Sequence, residues 1–298
     1  MYLIEEAKQL NQNNYLMVVR APEIARHCLP GQFLIVRADE KGERIPLTIC
    51  DYDAEKGTIT IVFQPIGVTT MKMAAYGAGD SFADVVGPLG RPSDLCEMTD
   101  EELKDMHFLF VAGGVGAAPI YPQVKYLAQR GLRADVVNGA KTKELVLFEK
   151  EMSEYANVYV TTDDGSYGFH GMVTAMMEEL VTNRGMHYDR VIAIGPMIMM
   201  KFAALTAKKL GIPSVVSMNP IMVDGTGMCG ACRVTVGGKT KFACVDGPEF
   251  PGDELDFDEA MQRSRMYRTE EGRAILRYRE GNTHHGGCGQ CEDGGTGR

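Results

Sequence analysis

The segment DGTGMCGACRVTVGGKTKFAC, residues 224–244, constrains this chain more than any other because it places three thiols in one short, glycine-rich stretch. Cys229 and Cys232 are two residues apart, and Cys244 follows on the predicted return strand of a hairpin. Zinc ribbons use paired CxxC units, and no second pair lies near this hairpin. In the C-x4-C-x2-C…C spacing of plant-type [2Fe–2S] proteins, Cys229 and Cys232 take the second and third positions, and the first falls on Asp224.

Asp224 is therefore the candidate fourth ligand, because a carboxylate oxygen can bind iron. Gly225, Gly227 and Gly230 suit a loop whose amides approach cluster sulfides closely. Two alternatives remain at this point. The cysteines could be buried thiols of an ordinary hairpin, or they could hold zinc in a structural subunit.

Composition excludes several classes of protein. The chain has 298 residues, a net charge of −9 and 45% hydrophobic residues, which predicts two or three domains and argues against a nucleic-acid binder. The acidic start and the lack of an apolar run of about 18 residues predict neither a secretory signal nor a membrane span. Eight cysteines without an export signal are read as reduced thiols or metal ligands. We expect a cytoplasmic protein.

The pattern of predicted secondary structure changes twice along the chain. Up to about residue 92, short β-rich runs separated by turn residues predict an antiparallel barrel. From His107, strands alternate with helices, which predicts a doubly wound nucleotide-binding domain. The cysteine hairpin and a charged helix follow, and residues 284–291 (HHGGCGQC) form a weaker candidate metal motif. The expected domains are residues 1–98, 99–222 and 223–298.

The first strand of the second domain ends in a glycine-rich turn, VAGGVGAAPIYP. Gly113, Gly114 and Gly116 would let the backbone approach a diphosphate at the start of a helix. This run is not the G-x-G-x-x-G fingerprint, so its spacing alone is a weak signal.

The chain resembles one branch of the ferredoxin–NADP reductase superfamily. The members of that branch have the same order of modules: a β-barrel, a nucleotide fold and a C-terminal [2Fe–2S] hairpin. That branch contains the electron-transfer subunit of dihydroorotate dehydrogenase. It also contains the small subunits of sulfide dehydrogenase and of NADH-dependent ferredoxin:NADP oxidoreductase. The resemblance covers nearly the whole chain and implies FAD, NAD(H) and a [2Fe–2S] cluster as cofactors.

The resemblance implies a flavin site in the barrel. Residues 44–48 (RIPLT) are similar to the family's R-x-x-S/T motif, with the arginine one residue further from the hydroxyl. Thr48 would lie at the flavin ring as the catalytic residue, and GVTT at 67–70 resembles the G-x-G-T that holds the FAD diphosphate. The implied FAD residues are Arg44, Pro46, Leu47, Thr48, Val62, Phe63, Gln64, Gly67, Thr69 and Thr70.

The resemblance also implies a nicotinamide site. The run from Gly113 matches the family's G-G-x-G-x-x-P, and a Gly-Pro pair follows the fourth strand, with Ile194 where many members carry cysteine. The loop at 162–166 resembles one that faces the nucleotide, although a solvated turn explains it equally well. NADH is favoured by the resemblance, and NADP(H) stays open. The implied NAD residues are Gly113, Gly114, Gly116, Pro119, Asp163, Asp164, Gly165, Gly195 and Pro196.

The expected function is hydride exchange with NAD(H), followed by transfer of single electrons to a larger flavin and iron–sulfur subunit in a heterodimer. Asp224 favours the bifurcating ferredoxin:NADP oxidoreductase, in which ferredoxin reacts at the partner, because the dihydroorotate subunits use four cysteines. The alternatives are a sulfide dehydrogenase (polysulfide reductase) small subunit and a dihydroorotate dehydrogenase subunit. A non-enzymatic redox sensor is an alternative from a different class.

Overall fold

Two seven-stranded sheets and a two-stranded hairpin form the β-structure of residues 1–280, the part of the chain that the computed structural model describes. The strands of the first sheet are β1 (Tyr2–Asn11), β2 (Asn14–Arg20), β3 (Phe33–Arg37), β4 (Arg44–Asp53), β5 (Thr58–Phe63), β6 (Ser81–Phe82) and β7 (Asp84–Leu89). The remaining strands are β8 (Phe108–Gly113), β9 (Asp135–Ala140), β10 (Asn157–Thr162), β11 (Phe169–His170), β12 (Arg190–Ile194), β13 (Ser214–Ser217), β14 (Arg233–Val236), β15 (Lys239–Phe242) and β16 (Glu249–Pro251).

Nine α-helices of the described residues pack around these sheets. They are α1 (Pro22–His27), α2 (Val68–Met73), α3 (Asp100–Leu103), α4 (Ala117–Ala128), α5 (Glu149–Ser153), α6 (Val173–Glu178), α7 (Met197–Lys209), α8 (Phe257–Arg263) and α9 (Arg268–Arg279). Within residues 1–280, none of the helices combines the length and the hydropathy needed to cross a membrane.

The first sheet curls into a nearly closed antiparallel barrel. Its strand order is β6-β1-β2-β5-β4-β3-β7, so β6 and β7 lie at opposite edges. A single residue, Ala83, separates these two strands in sequence. The chain can pass from one edge to the other in so short a step only if the two edges meet, which confirms the barrel that the sequence predicted.

The second sheet is doubly wound, as predicted. Its order is β11-β10-β9-β8-β12-β13-β16, with all neighbours parallel except β16. The chain moves from β8 outward to β9 and β10, then returns to the other side of β8 with β12. Ligands of such sheets bind where the strand order reverses, outside the carboxyl ends of the central strands. Here that point lies between β8 and β12.

The structure contains elements that the sequence did not predict. Strand β1 was missed because only Ile4 among its ten residues is fully buried, so the strand carries little apolar alternation. The short helices α1 and α2 interrupt a region that was read as strands and turns. The charged segment after residue 256 was predicted as one helix, but it forms α8 and α9. The Ser264 hydroxyl donates to the Met261 carbonyl at 2.8 Å and so competes with helical hydrogen bonding at the break. The motif at 284–291 lies outside the described residues.

One carboxylate joins three parts of the chain. Glu249, on β16, accepts a hydrogen bond from the hydroxyl of Ser93 at 2.9 Å and from the side-chain amide of Gln123 at 2.8 Å. Ser93 follows the barrel, and Gln123 lies on α4 of the nucleotide domain. Burial raises the pKa of the Glu249 carboxyl to about 7, although both hydrogen bonds favour the charged form.

We predict that, as pH rises, the unfolding free energy of Glu249→Gln increases relative to that of the wild-type protein. An acid whose pKa is raised by folding contributes stability below its unfolded pKa and loses that contribution as pH rises through its folded value. Between about pH 4.5 and pH 7 the difference in unfolding free energy should therefore move in favour of the variant by up to about 3 kcal/mol. Chemical denaturation at pH 5 and pH 8 measures it.

Glu254→Gln is the matched control, since Glu254 is exposed three residues beyond β16. Its effect on the unfolding free energy should be the same at both pH values. A Glu249→Gln effect that is equally independent of pH would contradict the raised pKa.

Candidate functional site

The three cysteines lie in and after the turn that leads into the β14–β15 hairpin. Cys229 is exposed, whereas Cys232 and Cys244 are buried side by side, with the Cys244 amide donating to the Cys232 sulfur at 3.4 Å. Cys244 was expected on the return strand, but it lies two residues beyond the end of β15. Burial raises the pKa of the Cys244 thiol to about 12. A cysteine that ligates a metal does so as a thiolate and releases its proton on binding.

Asp224 orders the loop that carries Cys229. Its two carboxylate oxygens accept hydrogen bonds from the amides of Thr226 at 2.8 Å and of Cys229 at 2.9 Å. These bonds, the Thr226 amide first, hold the pKa of the Asp224 carboxyl below its usual value. The carboxylate therefore carries its charge beside the exposed thiol, and its remaining lone pairs are available to a metal.

No three His, Cys, Asp or Glu side chains within residues 1–280 converge on a single-ion site. A [2Fe–2S] cluster divides its four protein ligands between two metal ions. Three thiols and one carboxylate in a loop with positive φ angles at Gly225, Gly227 and Gly230 fit that group.

Residues 224–232, which we call the cluster loop, lie directly against the barrel. Gly225 has φ +76°, and a Cβ there would lie 2.8 Å from Cδ1 of Leu89 and 3.0 Å from Cγ1 of Ile35. These two side chains belong to β7 and β3. Only a residue without a side chain lets the loop approach the barrel wall this closely.

Thr48 lies on the same outer face of the barrel. Phe33 pairs with Thr48, and Ile35 pairs with Pro46, across the β3–β4 ladder. Phe33 and Ile35 are buried in the apolar cluster that includes the nucleotide sheet and the cysteine hairpin. Residues directly opposite each other share a face, so Thr48 and Pro46 face this junction. Leu47 points instead into the barrel, where it packs against the barrel core.

The other predicted flavin residues occupy varied environments. Arg44 forms an ion pair with Asp84 at 3.1 Å. Phe63 is 2% exposed and stacks on Tyr15, and Val62 is 7% exposed, so protein atoms already cover both side chains. This strand can offer a flavin its backbone and the side chain of Gln64.

The segment at 67–70 forms the start of α2. The Gly67 amide donates to the Thr70 hydroxyl at 3.0 Å, and the same hydroxyl donates to the Gly67 carbonyl. The buried Thr69 hydroxyl donates to the Glu43 carboxylate at 3.3 Å. The segment is an internally bonded helix start, and α2 packs on the barrel through the buried Met73.

The predicted nicotinamide glycines meet at the reversal point of the second sheet. A Cβ on Gly116 would lie 2.1 Å from the Ile194 carbonyl oxygen, and a Cβ on Gly195 would lie 2.9 Å from the Gly113 carbonyl oxygen. Pro196 is also in contact, at 3.0 Å from the Cβ position of Gly113. The turns after β8 and β12 are therefore pressed together, with the start of α4 beside them. Pro119 is buried in the first turn of α4.

The loop after β10 is held by its own hydrogen bonds. Asp164 accepts from the hydroxyl of Ser166 at 2.7 Å and from its amide at 3.0 Å, which lowers the pKa of the Asp164 carboxyl. The Ser166 hydroxyl also accepts from the Lys143 amide at 2.9 Å. Asp163 and Gly165 are exposed in the same turn. The loop lies at the carboxyl edge of the sheet, and its internal bonding is also that of an ordinary turn.

Sequence reasoning missed the contacts that join the barrel to α4. Cys50 and Val62 pack against Ala118 in a small apolar cluster. Beside it, Lys125 forms an ion pair with both oxygens of Asp51, at 2.8 and 3.0 Å. An aspartate directly after a buried cysteine within a β-rich run was the one signal available for this contact.

Comparison with known proteins identifies the modules. Residues 219–256 match the iron–sulfur cluster binding domain of dihydroorotate dehydrogenase B, and residues 110–204 match the oxidoreductase NAD-binding domain. The chain is 33% identical to the electron transfer subunit of dihydroorotate dehydrogenase B (NAD(+)) from Geobacillus thermodenitrificans, over 83% of this chain and 95% of that protein. A homologue of that subunit from Thermotoga maritima is 47% identical over 85% of this chain and 86% of that protein. The chain belongs to the family of dihydroorotate dehydrogenase B electron-transfer subunits.

A solved structure extends this similarity to the whole fold. The structure of the NADH-dependent reduced ferredoxin–NADP oxidoreductase, studied for flavin-based electron bifurcation, superposes with a TM-score of 0.86 at 43% identity. The superposition covers 93% of this chain and 98% of the chain in that structure. This member of the family is therefore an oxidoreductase electron-transfer subunit with a flavin barrel, an NAD-binding domain and an iron–sulfur module, as expected for FAD, NAD(H) and [2Fe–2S].

Proposed function

We propose that this chain is the subunit that reacts with NAD(H) in a bifurcating ferredoxin:NADP oxidoreductase. In this proposal it exchanges hydride with NAD(H) and passes single electrons to a larger flavin and iron–sulfur subunit, at which NADPH and ferredoxin react. The seating of Gly225 on Ile35 and Leu89 carries the proposal. It brings the cysteine loop to the barrel face on which Thr48 lies.

The chemistry belongs to the bound groups, and the chain positions them. A flavin accepts the hydride as two electrons and releases them singly, and a [2Fe–2S] cluster carries one electron at a time. Catalysis of this kind depends on orientation and on exclusion of water more than on an acid or a base. The residues of this chain therefore act by binding and by holding distances.

On the nucleotide side, we assign the diphosphate of NADH to the turn at Gly113–Gly116 and the start of α4. The contact of this turn with Gly195 and Pro196 supports the assignment, since it leaves backbone amides at the reversal point of the sheet. The ion pair of Lys125 with Asp51 holds α4 against the barrel and so sets the approach of the nicotinamide to the flavin.

On the flavin side, we assign the ring to Thr48 and Pro46 and the diphosphate to the turn at 67–70. The ion pair with Asp84 makes Arg44 a weaker phosphate ligand than a free guanidinium. On the cluster side, we assign Asp224, Cys229, Cys232 and Cys244 as ligands. The match of residues 219–256 to an iron–sulfur domain counts against the zinc-stabilised alternative.

Within the family, Asp224 favours the ferredoxin:NADP enzyme over the dihydroorotate enzyme, whose subunits resemble this chain but use four cysteines. The 43% identity with the NADH-dependent reduced ferredoxin–NADP oxidoreductase supports the same choice. That likeness also favours NADH over NADPH for this chain.

Replacing Gly114 should weaken NADH binding. Gly114 has φ +55°, and a Cβ there would meet no atom of the described residues within 4 Å outside its own stretch of chain, so it would project into the space we assign to the diphosphate. We expect Gly114→Ala to lose about 1–2 kcal/mol of stability through its backbone and to raise the Kd for NADH about tenfold. The dependence of the anaerobic flavin-reduction rate on NADH concentration, followed by stopped-flow absorbance, measures the affinity.

Gly131→Ala is the matched control. Gly131 has φ +77° and, outside its own stretch of chain, likewise has no atom of residues 1–280 within 4 Å of its Cβ position, but it lies beyond the opposite end of α4. It should show a similar loss of stability with unchanged NADH affinity. Equal affinities in the two variants would contradict the assignment of the diphosphate.

Replacing Asp224 tests the oxygen ligand. Asp224→Cys should keep the cluster and shift its EPR spectrum, because a thiolate donates more electron density to iron than a carboxylate does. Asp253→Cys, which adds a thiol at an exposed position of the same module, should leave the spectrum unchanged. If the wild-type and Asp224→Cys spectra coincide, Asp224 serves only to order the loop.

A further inference from the structure

Helix α8 reaches the cluster loop from outside the iron–sulfur match. That match ends at residue 256, and α8 begins at Phe257. An ion pair between Asp258 and Lys201 of α7, at 2.6 Å, fixes the start of the helix. At its other end, the guanidinium of Arg263 donates to the carbonyl of Ala231 at 3.2 Å.

A second guanidinium contacts the same turn. Arg233 donates to the carbonyl of Gly230 at 3.1 Å. Gly230 and Ala231 are the two residues between Cys229 and Cys232. Both carbonyls of the CxxC turn are therefore held by positively charged side chains, one from the hairpin and one from α8.

These contacts have an electrostatic consequence. A cluster becomes more negative by one charge on reduction, and neighbouring positive charge stabilises the more negative state. Arg263 is only partly exposed, so solvent screens its charge less than that of a surface side chain.

We propose that Arg263 and Arg233 are positioning residues of the iron–sulfur module, which hold the CxxC turn and favour the reduced cluster. This inference rests on the proposed binding of a [2Fe–2S] cluster by the loop. Because α8 carries Arg263, this helix would influence how readily the cluster accepts an electron from the flavin.

The test is an anaerobic redox titration of the full FAD- and cluster-loaded chain, followed by the EPR amplitude of the reduced cluster. Arg263→Gln should lower the ratio of reduced to oxidised cluster at a fixed potential about three- to tenfold, and tenfold corresponds to about 59 mV for one electron. Arg263→Lys, which keeps the charge, should restore most of that ratio. Arg265→Gln removes the same charge from an exposed position two residues away and should change the ratio less than twofold.

Equal midpoints in Arg263→Gln and Arg265→Gln would overturn the inference, because the contact with the turn would then have no effect of its own. If Arg263→Gln holds no cluster, Arg233→Gln decides the question. A midpoint below that of Arg265→Gln supports the proposal, and an equal midpoint overturns it. A wild-type chain without any [2Fe–2S] signal would overturn the proposed function itself, which separates that failure from a cluster whose potential ignores both arginines.

Discussion

The packing of a glycine loop on the barrel wall is the constraint on which the electron path depends. A side chain at Gly225 would collide with Leu89 and Ile35, and the positive φ of this residue disfavours any other amino acid. Ile35 stands opposite Pro46 in the β3–β4 ladder, and Thr48 lies on the same face two residues further along β4. Electron transfer between a flavin and a cluster falls steeply with separation, so this one contact fixes the quantity that matters most for the proposed function.

The proposed nucleotide site also depends on close approach of backbone segments. There the turns after β8 and β12 touch through Gly113, Gly116 and Gly195, and α4 is tied to the barrel by Asp51 and Lys125. Glu249 then links the segment after the barrel, α4 and the strand that follows the cluster hairpin. The three modules are thus held together by the apolar cluster that they share, by close backbone contacts, by the Asp51–Lys125 and Asp258–Lys201 ion pairs and by one partly buried carboxylate.

Sequence predicted the modules well because each has a local signature: turn-separated strands, alternating strands and helices, and the spacing of Cys229, Cys232 and Cys244. It missed β1 and α2, whose short or mostly exposed segments carry little apolar periodicity. The sequence also did not show that Leu47 faces the barrel core while Pro46 and Thr48 face the junction. Only the register with β3 reveals this difference. No sequence motif marks Arg263, because the role proposed for it depends on where α8 packs.

The most direct test of the account is to mix the FAD- and cluster-loaded chain with NADH anaerobically, without any partner, and to follow flavin absorbance and the [2Fe–2S] EPR signal together. The account predicts that flavin absorbance falls first and that the reduced-cluster signal then grows within the same chain. A cluster that dithionite reduces, but that stays oxidised after NADH has bleached the flavin, would contradict the proposed path from flavin to cluster.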